Sequence, residues 1–101
     1  MAFLTKAIND NFNVSFITFI EFLGYKNVTQ SNKDFINLAT VIEIDRDIIA
    51  TCIELRKSNK IKLPDAIIAS TALVQNFTII TNNEKGFENI KSLKFINPYK
   101  I

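Results

Sequence analysis

Histidine is absent from all 101 residues, and cysteine occurs once, at Cys52. Lack of imidazole removes zinc sites of the Cys/His type, Ser-His-Asp chemistry and imidazole acid–base catalysis together. A lone cysteine cannot close an internal disulfide, so a secreted disulfide scaffold is excluded. Glycine and proline occur only twice each, and no linker, repeat or low-complexity tract divides the chain. Neither sign of charge dominates: 12 Lys and Arg stand against 10 Asp and Glu, and a net charge of +2 is too mild to argue nucleic-acid binding by itself. Long apolar runs are also missing. The longest nearly apolar stretch, residues 66–74, is broken by Ser70 and Thr71 and is too short to span a bilayer. The N-terminal residues do not form a signal peptide, so a cytoplasmic protein without membrane contact is expected.

What is present is ordinary globular material. Hydrophobic residues make up 48% and charged residues 22%, which excludes disorder and gives one domain over 1–101 a core of its own. Residues 2–10 fit a short amphipathic helix with Leu4, Ala7 and Ile8 on one side. Val14 to Ile17 is a buried-type strand. Thr18 and Glu21 match a capping box that starts a helix closed by Gly24. Ser31 can cap a second short helix to about Thr40, with Phe35 and Leu38 inward, and Val41 to Ile44 is a second strand.

Asp45 supplies an N-cap for the clearest amphipathic helix, which runs to about Ser58 with Ile48, Ile49, Cys52, Ile53 and Leu55 along its apolar stripe. Pro64 suits the first turn of the next helix, to about Asn76, which is apolar on most sides and therefore buried. Residues 77–81 and 94–96 complete the strands. Strands alternating with helices and lacking tight hairpins imply an α/β fold with a parallel sheet flanked by helices.

Without histidine, hydrolytic chemistry falls to carboxylates holding a hard cation such as Mg²⁺ or Mn²⁺, which can activate water and neutralise a phosphate. Two carboxylates adjoin element ends in apolar surroundings: Glu21 and Asp65. Each has an ordinary reading as well. Glu21 is the third residue of the Thr18 capping box, and Asp65 complements the dipole of its helix. Arg56, Lys57, Lys60 and Lys62 form a basic cluster before Asp65, suited to steering phosphates, those of RNA among them if the family resemblance given next holds, or simply to solvating a helix C-terminus. Cys52 reads as a small core residue and the nine Phe as core material, not a base-stacking platform.

The segment Leu63-Pro64-Asp65-Ala66-Ile67-Ile68-Ala69-Ser70-Thr71-Ala72-Leu73 resembles the central motif of PIN domains, especially the VapC-type toxins of toxin–antitoxin pairs. Three further segments agree in order: residues 15–24 around Glu21, the loop Thr81-Asn82-Asn83-Glu84-Lys85-Gly86-Phe87, and the closing strand at 95–99. Together they cover about residues 13–101. The resemblance implies a PIN-like three-layer fold, an endoribonuclease dependent on Mg²⁺ or Mn²⁺, RNA as substrate, a cognate antitoxin as partner and a homo-oligomer. Carried over by position, Glu21 and Asp65 are metal ligands, with Asn83 and Thr81 completing the catalytic set.

Two departures bear on activity. Where the family often has another Asp before the Phe, this chain has Gly86. Members also open with a central apolar strand ending in Asp, the first metal ligand, and nothing before Val14 matches it; Asp10 follows a helix-like run. The chain therefore reads as N-terminally truncated, with an in-frame upstream segment or another copy expected to supply the strand. Feeble metal affinity and low or absent cleavage are expected. The alternative is a non-catalytic PIN fragment acting as a protein-binding or self-associating module.

Overall fold

Short β-branched and apolar runs alternate with amphipathic ones, and each run finds a place in one sheet or on its flanks. The computed structural model describes residues 2–5 and 12–100. Its strands are β1 (Phe3–Thr5), β2 (Asn13–Ser15), β3 (Thr40–Ile42), β4 (Thr78–Ile80) and β5 (Phe95–Ile96). The helices are α1 (Phe16–Leu23), α2 (Gln30–Ile36), α3 (Arg46–Ser58) and α4 (Leu63–Gln75). The strands form a five-stranded sheet in the order β3-β2-β1-β4-β5. Among the described residues, no helix is long and apolar enough to cross a membrane.

The sheet is mixed, not parallel. The β2–β3 and β4–β5 pairs are parallel, whereas β1 runs antiparallel to both β2 and β4. Four strands thus point one way, and the central one points back. Residues 2–10 were expected to be helical; Phe3–Thr5 is instead the central strand, paired Phe3 to Ile80, Leu4 to Ile79 and Thr5 to Thr78. Asp10 and the rest of that segment lie outside the described residues. Tertiary pairing overrides the local pattern, because a three-residue strand presents no periodicity of its own. The centre of the sheet, expected to lack its strand, is filled by Phe3–Thr5.

The core gathers Leu4, Ile68, Ala69, Ala72, Phe77, Ile79 and Phe87 between the sheet and α4. α3 packs along α4, which lies against α1 and against strands β2 and β4. As its composition implies, α4 is buried continuously from Ala66 to Ala72. Its two buried hydroxyls are satisfied within the helix: Ser70 Oγ donates to the Ala66 carbonyl at 2.6 Å, and Thr71 Oγ1 to the Ile67 carbonyl at 2.7 Å. Asp45 caps α3 as expected, its Oδ1 accepting from the Ile48 amide at 2.8 Å.

The start of α1 differs from the capping-box expectation. Its N-cap is Ser15, whose Oγ accepts from the Ile17 amide at 3.3 Å, and helix begins at Phe16. Thr18 and Glu21 therefore lie inside the helix, and Glu21 is not engaged as a cap. Gly24 closes α1, where a Cβ would stand only 2.9 Å from the Ile20 carbonyl oxygen. α2 is capped by Thr29, not Ser31, and turns Ile36 into the core. Leu38, expected inward, is 77% exposed, because the helix ends before reaching it. Phe35 is 46% exposed and stacks on Phe12 at 5.0 Å, while Phe3 meets both rings edge-on. This trio ties the central strand to α2.

On α3 only part of the expected stripe is inward. Ile48 and Cys52 are buried, whereas Ile49 and Ile53 are 44% and 50% exposed. Among the described residues, nothing covers that second face.

Candidate functional site

The site forms where the four co-directional strands end. β2 delivers the chain into α1, which carries Glu21, and β4 leads through Thr81 to Asn83. Because β1 is reversed, the same end of the sheet receives its beginning, Ala2, instead of its last residue. Ala2, Glu21, Asp65, Thr81, Asn83 and Phe87 line one cavity of about 130 Å³. Asp65 reaches it from the first turn of α4, whose N-cap, Lys62, makes no side-chain cap. Four residues named from the sequence, Glu21, Asp65, Asn83 and Thr81, are brought together here.

Local bonds explain the shape of the loop after β4. Thr81 is 2% exposed, and its Oγ1 accepts from the Asn83 amide at 3.0 Å, which bends the chain back toward Asp65. A 3-10 turn, Glu84–Gly86, follows, steadied by Asn97 Nδ2 donating to Glu84 Oε2 at 3.4 Å. Gly86 rests against the site: a Cβ there would lie 3.0 Å from Asp65 Oδ2 and 3.2 Å from Asn83 Nδ2. Glycine is used here for close approach, since its backbone is not left-handed. The floor is Phe87, 2% exposed. The carboxylates of Glu21 and Asp65 make no hydrogen bond or ion pair with the described residues.

Two free carboxylates, one amide oxygen and one hydroxyl are a hard-oxygen set. Among the described residues, no group of three or more His, Cys, Asp or Glu is placed to share an ion. Such a set fits Mg²⁺ or Mn²⁺ only as a largely hydrated ion completed by a substrate phosphate, a mode in which one or two carboxylates suffice. Ala2, just before the central strand, also lines the cavity, and its side chain offers no ligand.

The basic cluster read from the sequence divides. Lys60 and Lys62 line a second cavity beside Asp65 and Asn83, together with Lys85. Arg56 instead lines an apolar groove with Ile44, Ile49, Ile53 and Leu63. Lys57 sits 3.8 Å from Glu54 on α3, both side chains well exposed. Lys85, two residues after Asn83, was not singled out from the sequence. Its place in the site loop was the available signal. Ala2 had none, since its strand is defined only by its neighbours.

An acid-bearing cleft lies where the co-directional strands end, in an α/β sheet flanked by helices. The PIN domain model matches residues 4–93, and the chain belongs to the PIN domain family. No curated protein matches it. Among solved structures, it is similar to a toxin–antitoxin complex from Klebsiella pneumoniae, with 35% identity and a TM-score of 0.72 over 88% of this chain and 75% of that one. VapBC2 from Rickettsia felis, bound to a DNA fragment from its promoter, follows at 27% identity and TM-score 0.71, covering 88% and 76% of the two chains. VapBC-1 from nontypeable Haemophilus influenzae gives 28% and 0.69 over 90% and 77%. The resemblance to VapC-type PIN domains is thus supported by fold and by sequence. Domains of this type are generally nucleases.

Proposed function

We propose that this chain is a VapC-type endoribonuclease of low activity, with RNA as substrate and a cognate antitoxin protein as partner. The observation that carries the reading is the convergence of Glu21 and Asp65, both without partners among the described residues, on one cavity at the strand ends. When bound there, Mg²⁺ or Mn²⁺ supplies a water of lowered pKa and offsets the phosphate charge. Glu21 and Asp65 would hold the ion, and the Asn83 side chain would orient a water or the phosphodiester. Thr81 acts on the loop: its bond to the Asn83 amide keeps Asn83 beside Asp65. Phe87 and Ala2 close the floor and one wall against bulk water. Low activity follows from charge, because two carboxylates provide a formal −2 and leave most of the coordination to water.

Cleavage of RNA by the purified chain in Mn²⁺, compared with Asp65→Asn, tests this. The expected result is slow cleavage abolished by the substitution; equal rates would remove Asp65 from the mechanism.

A second reading, a self-associating module, is favoured by the apolar groove of about 230 Å³ between α3 and α4. Ile44, Ile49, Ile53 and Leu63 are each 40% exposed or more along it. A second copy of this chain laid on that groove would bury them. Light scattering at high micromolar concentration decides: a monodisperse monomer removes this reading.

A further inference from the structure

Two cavities meet at Asp65 and Asn83. The first is the carboxylate cavity; the other, of about 260 Å³, is walled by Lys60, Lys62 and Lys85. Lys60 and Lys62 come from the link between α3 and α4, and Lys85 from the 3-10 turn after β4. The elements that present Asp65 and Asn83 on one side therefore present three ammonium groups on the other.

These lysines are not spent on neutralising Asp65. Among the described residues the ion pair formed is Lys57 with Glu54, and none of the three lysines has a hydrogen bond to protein. All three side chains are exposed. Three like charges around one concavity, against one carboxylate, repel one another unless an anion enters. The volume is several times the ~30 Å³ of a water molecule, room for a phosphate with part of its hydration shell.

We infer that the lysine cavity is a phosphate subsite for single-stranded RNA, holding the phosphate that neighbours the one presented to Glu21 and Asp65, and that it does so without a divalent cation. The inference rests on the nuclease reading for the path of the strand, but binding alone tests it. Lysines hold phosphate as point charges and release its counterions, so the energy source is independent of the metal. Lys85 then does part of the work that a metal does in a more acidic site: it brings positive charge to the substrate backbone.

The experiment is fluorescence anisotropy of the full chain with a short labelled RNA strand in EDTA, across a salt series, with inorganic phosphate as a separate competitor. Binding is expected to persist in EDTA. Each of Lys60→Met, Lys62→Met and Lys85→Met should reduce the salt slope by about 0.7, and the triple variant by about 2. Lys57→Met, outside the cavity, should leave the slope unchanged. Asp65→Asn should tighten binding in EDTA by removing the opposing charge. Loss of binding in EDTA with recovery in Mg²⁺, or a slope indifferent to the triple substitution, would overturn the inference. So would lysine-dependent binding of inorganic phosphate with none of RNA. Lysine-dependent binding without cleavage in Mn²⁺ leaves the subsite standing and removes the nuclease reading; cleavage without lysine-dependent binding does the opposite.

Discussion

Leu4→Ala tests the central strand most directly. Leu4 is fully buried, opposes Ile79 on one side and Asn13 on the other, and packs in the cluster with Ile68, Ala72 and Phe87. Truncating a buried leucine costs about 2–5 kcal/mol, depending on how far the surroundings collapse. Here the surroundings are sheet on both sides and α4 below, which relax little, so the upper half of that range is expected. A domain of this size has roughly 5–15 kcal/mol in total. The variant should therefore lose a large share of its stability, with a fall in melting temperature of at least about 10 °C, taking roughly 4–8 °C per kcal/mol. Urea denaturation followed by circular dichroism gives the difference, with the slope unchanged if the denatured state is unaffected. Leu38→Ala is the control: at 77% exposure it should stay within about 0.5 kcal/mol of the parent. If Leu4→Ala were as mild as Leu38→Ala, Phe3–Thr5 would not be the centre of the sheet, and Ala2 would have no fixed place in the site.

Thr18 Oγ1 is buried without a partner among the described residues, so Thr18→Val should be neutral or stabilising by up to about 1 kcal/mol, whereas an N-cap threonine would lose about 0.5–2 on removal of its hydroxyl; thermal melts separate the two. Ala2→Asp should place a third carboxylate on the cavity wall, lowering stability in EDTA by like-charge repulsion and restoring it in Mn²⁺; a melting temperature indifferent to Mn²⁺ would count against Ala2 facing the acids. Gly86→Ala should push the Asp65 carboxylate by a few tenths of an ångström, seen as slower cleavage with RNA binding in EDTA retained. Isothermal titration of the parent chain should show feeble Mg²⁺ affinity that strengthens when RNA is present, since a substrate phosphate completes the ligand set; tight binding of the ion alone would refute the two-carboxylate site.

Much of the site was legible because its residues sit at element boundaries with strong local signals. Pro64 and the apolar run behind it announce α4 and place Asp65 in its first turn, and the β4 run places Thr81 and Asn83 just past its end. Asp45 announces α3 in the same way. What was not legible depended on partners distant in sequence. The capping box at Thr18 and Glu21 satisfied every local rule, yet Ser15 holds the cap because β2 ends there, one turn earlier. Ile49 and Ile53 share a periodic stripe with Ile48 and Cys52, but only the latter pair is buried.

Composition and pattern by themselves determined an α/β fold, left these residues without imidazole, and pointed to the carboxylates beside strand ends. Those properties follow from residue types and from periodicities of a dozen residues or fewer, which the chain carries wherever it folds. Tertiary structure alone decided that a three-residue segment fills the middle of the sheet in reverse, and that Ala2, just before it, stands at the acid site. It also decided which lysines of one basic run face that site and which face away. A strand so short has no intrinsic preference to read; it pairs with β2 and β4, and only the folded sheet supplies those partners.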